Sequence, residues 1–296
     1  MKSLIEYIKE SLIVAEGGNA VKSNPIPAKI APKVYNQIES DIKKNYPFIE
    51  MAVLGSIGKK NDDQTNGDID IAIKVDSKKE LEDIISKCFP NDEVNKQTTA
   101  TIVSIGYPYN IEGQSGIAQV DFMFVKNLEQ AIFNYHSPNY RNKESKYKGA
   151  VRTYMLSDLV SSIPVKDARD EYFDDGKTLK RKWKLTYNSY GIFKQLVDYC
   201  GKNGKPVKNG KKLKEFETLI TENPKEIVAF LFGKNGSFKD TNSAESIWAA
   251  VHDESKFQFG PDVVEVFEKH FYNDKNNIKY NVDLNDFPCK YYKPEK

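Results

Sequence analysis

Three aspartates in this 296-residue chain have the type and spacing for metal-ion chemistry. Asp68 and Asp70 lie two apart in Gly67-Asp68-Ile69-Asp70-Ile71-Ala72-Ile73, an alternating segment that predicts a strand. Successive strand side chains point to opposite faces, so the two carboxylates project together while Ile69, Ile71 and Ile73 face a core. At about 6 Å and an effective dielectric near 20, their repulsion is roughly 3 kcal/mol. A hard cation with oxygen ligands, Mg²⁺ or Mn²⁺, is the commonest compensation. A third acid, Asp121, interrupts the apolar run Val120-Asp121-Phe122-Met123-Phe124-Val125. Paired beside the first strand, it would complete a cluster able to hold two metal ions about 3.5–4 Å apart.

The elements that must position these acids precede and separate them. Met51-Ala52-Val53-Leu54 predicts a strand ending in Gly55-Ser56, and a helix over residues 32–44, with Ile38 and Ile42 one turn apart, leads into it. After Gly55-Ser56 come Gly58-Lys59-Lys60. The N–H groups of a glycine-rich turn form an anion-binding concavity, and Lys59 and Lys60 stand where they would reach phosphate oxygens. The polar loop 61–66 has no hydrophobic anchor and is expected to be mobile. Ser77, followed by Glu80, predicts the start of a helix over 77–88. Residues 98–105 read as a strand, 107–116 as a turn or loop, and 128–135 as a short helix.

The order Gly-Ser, Asp-x-Asp on one strand, then a lone Asp on a later strand resembles the nucleotidyltransferase superfamily whose best-known member is DNA polymerase beta. The similarity covers approximately residues 49–125. Together the elements over these residues read as an α/β (α+β) fold with a mixed sheet of four to five strands and helices on one face, of the kind this superfamily has. The resemblance implies that Gly55 and Ser56 hold the triphosphate of an NTP, that Asp68 and Asp70 bind both Mg²⁺ ions, and that Asp121 binds the catalytic ion and helps deprotonate the attacking hydroxyl.

The length suits two domains, expected at residues 1–164, with helices over 1–48, and 165–296. The second is expected to be mostly helical. No apolar run approaches the ~20 residues that span a bilayer. Residues 1–4 lack the start of a secretory signal, and residues 3–15 have the apolar stripe of an amphipathic helix. Cys88, Cys200 and Cys289 are odd in number and scattered, which favours a reducing cytoplasm over disulfides or zinc. Glu16-Gly17-Gly18-Asn19-Ala20 reads as a connector, with a loop over a nucleotide as its other reading.

The formal charge of +2 conceals an asymmetry: residues 141–214 hold nineteen Lys and Arg against eight Asp and Glu. Such a block suits a polyanionic partner, because each neutralised phosphate releases counterions; a solvated lysine-rich surface is the other reading. Within it, Lys146, Lys148 and Arg152 interleave with tyrosines, as in sites that stack on a base while binding phosphate. Residues 151–163 read as a bridging helix. Residues 172–173 and 179–187 read as a basic hairpin turning at Asp174-Asp175-Gly176. Residues 193–200 and 214–220 read as helices flanking an exposed basic loop over 201–212. Further helices are expected at 224–232, 243–251 and 261–271. His136 stands near the expected cleft, whereas His252 and His270 read as structural.

These readings converge on a metal-dependent nucleotidyltransferase whose acceptor is a nucleic-acid 3′ end, of tRNA or other RNA. Two alternatives stay open. The acceptor is a protein or small molecule, as in toxin-like enzymes and oligonucleotide-signal synthases, or the chain is a binding module with a relic site.

Overall fold

The computed structural model describes residues 20–58, 60–90, 97–99, 101–135, 145–147, 149–166 and 168–294. The chain divides into two compact units, Met1–His136 and Ser137–Lys296. The readings at residues 3–15, 16–19 and His136 fall outside the described residues.

The first unit is mixed α/β. Its elements run β1 (Ile26–Pro27), α1 (Ala31–Asn45), β2 (Met51–Val53), β3 (Thr65–Asn66), β4 (Ile69–Lys74), α2 (Lys78–Cys88), β5 (Gln97–Thr98), β6 (Ile102–Ile111), β7 (Gln114–Val125) and α3 (Leu128–Tyr135). Five strands form one sheet in the order β2-β4-β7-β6-β5. The central pair, β4 and β7, is parallel, and the other neighbours are antiparallel.

Local chemistry accounts for the helices. Pro32 occupies the first turn of α1, where a missing N–H costs nothing, and Val34, Ile38 and Ile42 form its buried stripe. The Ser77 hydroxyl caps α2 by accepting from the Glu80 N–H at 3.2 Å. These stripes pack with Ile69, Ile71, Ile73, Val120 and Phe122 on one face of the sheet. The opposite face is also covered: Leu54, Ala72 and Val125 pack with Ala131 of α3. Helices therefore lie on both faces, not on one as expected, because Ala72 and Val125 give the second face an apolar patch of its own. Removing Ile71, which is fully buried, to Ala would cost about 2–5 kcal/mol.

Two loop readings are corrected. Residues 107–116 are the closed end of a long hairpin between β6 and β7, turned at Glu112 (φ 53°) and Gly113 (φ 76°). Pro108 lies beyond the two residues of β6 that pair with β5, an edge setting in which a strand tolerates a missing N–H. The loop expected to be mobile is pinned at its end, since Thr65–Asn66 pairs with Ile26–Pro27.

The second unit opens with α4 (Gly149–Ser162), followed by β8 (Glu171–Tyr172), β9 (Leu179–Asn188), β10 (Gly191–Cys200), β11 (Pro206–Thr221), α5 (Pro224–Phe232), α6 (Ala244–Val251) and α7 (Pro261–Tyr272). Helix α4 belongs here and not to the first domain. Tyr154 stacks on Phe271 of α7 at 6.0 Å, which moves the boundary from residue 164 back to residue 136. Strands β8 to β11 form an antiparallel sheet in the order β11-β10-β9-β8, with β8 and β9 joined through Asp174-Asp175-Gly176. The unit is therefore not mostly helical. Residues 193–200 and 214–220, expected as helices, are strands. Val197 pairs with Lys182 on one side and Lys212 on the other, so long-range ladders override local preference. The core of this unit gathers on Trp248, whose ring lies 5.4–5.5 Å from those of Phe267, Phe271 and Phe287.

Among the described residues no helix is long and apolar enough to cross a membrane, and Cys88, Cys200 and Cys289 are free thiols.

Candidate metal centre

The parallel register of β4 and β7 sets Asp70 directly opposite Asp121. Asp68 precedes β4 by one residue and shares the Asp70 side of the chain. One carboxylate oxygen from each of the three lies within 4.8 Å of the other two. The same face carries Ala72 and Val125 farther along, under α3, so the acids stand at the end of a covered surface. Ile69, Ile71, Val120 and Phe122, which alternate with them, are fully buried on the other side.

The turn beside the cluster follows from two glycines. Gly55 has φ +67° and Gly58 φ +73°, the left-handed region that L side chains rarely adopt. Gly55 lies against a carboxylate: a Cβ added there would stand 2.1 Å from Asp70 Oδ2. The Leu54 N–H donates to the Asp70 carbonyl at 2.8 Å, tying the entry of the turn to the strand that bears the acids. Ser56 Oγ accepts from Asn66 Nδ2 at 2.8 Å. Asn66 is fully buried, and its Oδ1 has no partner among the described residues.

Three polar residues that the sequence reading passed over hold the site. Gln119, on the Asp121 side of β7, donates from Nε2 to both Asp121 oxygens at 3.1 Å. Its Oε1 accepts from the Ala20 N–H at 3.0 Å, which fixes the amide orientation. Ser104 faces Asp121 across β6 and β7 and hydrogen-bonds its carboxylate. Asn66 is the third. The period-2 pattern that aligned the acids also puts Gln119 beside Asp121, a signal present in the sequence. Ser104 and Asn66 needed the strand register.

Burial drives the electrostatics. It raises the Asp68 carboxyl above its ordinary range, repulsion from Asp121 raises it further, and the Lys60 ammonium opposes both. Burial also raises Asp121, against the lowering effect of the Ser104 and Gln119 hydrogen bonds. Two acids that are hard to ionise, within reach of a third, make a set whose charge a divalent cation would relieve. The all-oxygen donors fit a hard cation.

The other nominated residues are placed differently. Lys60 is exposed, and its Nζ donates to the Thr65 carbonyl at 2.6 Å. Lys59 and Lys148 fall outside the described residues. Lys146 is in the second unit, where it pairs with Asp286 at 2.7 Å. Arg152 is a correction: it lies on the buried face of α4, and its Nε donates to the Thr241 carbonyl inside the second unit. A guanidinium so enclosed holds the fold and is no surface contact for phosphate. His252 bonds the buried Glu268 at 2.8 Å, and His270 Nδ1 meets Ser162 Oγ at 3.1 Å.

Comparison with protein-family models gives no match for this chain, and comparison with curated proteins gives none.

Proposed function

We propose that the first unit is a metal-dependent nucleotidyltransferase, of the class the sequence resembles. It moves a nucleoside monophosphate from an NTP onto an acceptor hydroxyl and works in a cytoplasmic setting. One observation carries the reading: three carboxylates from two adjacent parallel strands meet within 4.8 Å beside a glycine turn. In the reaction the acceptor oxygen forms a bond to the α-phosphorus, the bond from that phosphorus to the bridging oxygen breaks, and pyrophosphate leaves. Asp68, Asp70 and Asp121 would hold two Mg²⁺ or Mn²⁺ ions, which when bound neutralise the triphosphate and make the acceptor hydroxyl more acidic.

The chain's own groups supply the rest. Asp121, kept in one orientation by Gln119 and Ser104, stands ready to take the proton that the acceptor gives up. The Gly55-Ser56 turn, held by Asn66, would receive the triphosphate, and Lys60 adds positive charge at its edge. The basic excess over residues 141–214 favours a nucleic-acid 3′ hydroxyl as acceptor.

The test is incubation of the full chain with each α-labelled NTP, with and without Mg²⁺ or Mn²⁺, against RNA, single-stranded DNA and protein. The reading expects divalent-dependent label on an acceptor, reduced on the order of 10³-fold with Asp70→Asn. Label on a polypeptide or in a small product would keep the chemistry and change the acceptor. No transfer under any condition would make the cluster a relic.

A further inference from the structure

The second unit carries a surface that the transfer chemistry does not use. Residues 179–221, which span β9 to β11, hold eleven Lys and Arg against three Asp and Glu. Arg181 lies within 3.7 Å of Glu171 and 3.8 Å of Asp198, and Lys182 within 3.6 Å of Asp170. Among the described residues no carboxylate lies within ion-pair distance of Lys194, Lys211, Lys212 or Lys214. The strand that bears most of them, β11, is sixteen residues long, exposed along nearly its whole length, and forms an edge of its sheet.

Aromatic rings stand among these charges. The Phe216 ring meets Trp183 edge-on at 6.3 Å, and the Lys194 ammonium lies 4.7 Å from the centre of the Trp183 ring. Phe216 is 46% exposed. The register shift between Lys194 and Leu196 explains why it protrudes: those two positions pair with Thr218 and Leu213, so residues 214–217 bulge out of the ladder. An exposed ring costs free energy in water, and the charges around it set what can cover it.

We infer that one face of this sheet is a binding surface for single-stranded nucleic acid, with Phe216 and Trp183 as the stacking ledge and Lys194 and Lys211, which strand alternation sets on the Trp183 face, as phosphate contacts. As the site of the acceptor it rests on the proposed transfer; as a binding surface it stands on this sheet alone. Charge complementarity selects the occupant, because densely spaced lysines without carboxylate partners release counterions to a polyanion. The rings select single strands, since a base must leave its stack to lie on Phe216. Lysines along an edge strand also oppose pairing with a further strand, so the same residues disfavour a protein in that place.

The experiment uses the full chain in EDTA without NTP and reads the fluorescence anisotropy of a labelled oligouridine about 20 nucleotides long, which covers one or more sites of this type. The wild type is expected to bind, with an affinity that falls steeply with salt. Phe216→Ala, at a half-exposed position that a folded chain tolerates, is expected to weaken binding on the order of tenfold. Lys194→Glu with Lys211→Glu should weaken it as much and flatten the salt dependence by about 0.7 in log–log slope per lost phosphate contact. Tryptophan emission should be quenched by the oligonucleotide and lose that response in Trp183→Phe, Trp248 being in the core. Unchanged binding by Phe216→Ala, or a duplex bound as tightly as the single strand, would overturn the ledge. Self-association through β11 without oligonucleotide binding would give the surface to strand pairing and overturn it as well. Because the assay contains neither metal nor NTP, failure of transfer with binding intact counts against the enzyme alone.

Discussion

The two sheets of this molecule carry opposite charge and treat it in opposite ways. In the five-stranded sheet, carboxylates are few and close, Asp121 buried and Asp68 and Asp70 half-buried, at the end of the central parallel pair. In the four-stranded sheet, lysines are many, spaced and open to water. Dispersed charge in a high dielectric needs no specific partner. Concentrated carboxylate charge away from water raises its own pKa until protons or a cation answer it. The first sheet therefore makes a sharp demand on one ligand, and the second a diffuse one on a polymer.

The strongest way to break that contrast is to remove one charge from each sheet. Asp70→Asn should lower transfer on the order of 10³-fold, the loss of several kcal/mol of transition-state stabilisation, while leaving oligonucleotide affinity unchanged. Lys211→Gln alone should shift affinity only a fewfold. Equal sensitivity of the two functions to both substitutions, in parallel transfer and anisotropy assays, would erase the distinction.

Backbone substitutions sharpen it next. Gly55→Ala drives a methyl onto Asp70 and should cost transfer about a hundredfold by misplacing that carboxylate. Gly113→Ala, also at positive φ but with open space around it, should cost about 1–2 kcal/mol of stability and no activity. Steady-state rates and melting temperatures of the pair separate crowding at the site from strain alone. Gln119→Leu removes the group that orients Asp121 and should weaken Mn²⁺ binding about tenfold to a hundredfold, read by calorimetry.

The smaller effects concern pH. Asp68 and Asp121 have folded pKa values above the ordinary carboxylate range, so their contribution to the stability of the metal-free protein is present below that range and lost as pH rises through the elevated values. Metal needs the same groups ionised, so the rise in melting temperature on adding Mg²⁺ should grow with pH across that window. The second unit supplies a contrast. Burial, then repulsion from Asp274 and a hydrogen bond with it, push Asp158 up to about 8. The stability it lends is full below the ordinary carboxylate range and is lost progressively as pH rises to about 8, without benefit from Mg²⁺, and Asp158→Asn should remove that loss in melting curves taken from about pH 4 to 8.

How legible each region was in the sequence follows from the same contrast. Asp68, Asp70 and Asp121 could be read because strand alternation and apolar neighbours constrain what an acid inside such a run can do. Helices α5, α6 and α7 could be read because Asn223-Pro224, Ser243 and Gly260-Pro261 mark their starts. Strands β10 and β11 could not. Their stability comes from partners far along the chain, and Lys214-Glu215-Phe216-Glu217 has the composition of an exposed helix. Arg152 misled for a related reason: neighbouring tyrosines and lysines suggested a surface, whereas only the packing of α4 shows that its guanidinium faces inward.

The central claim, that three aspartates form one cation site, is tested most directly by titrating Mn²⁺ into the full chain with an NTP present, by calorimetry in two buffers of different ionisation enthalpy. Uptake accompanied by proton release in the wild type, and lost in Asp70→Asn, is the predicted result. Uptake that is the same in both proteins, or absent from both, would contradict it.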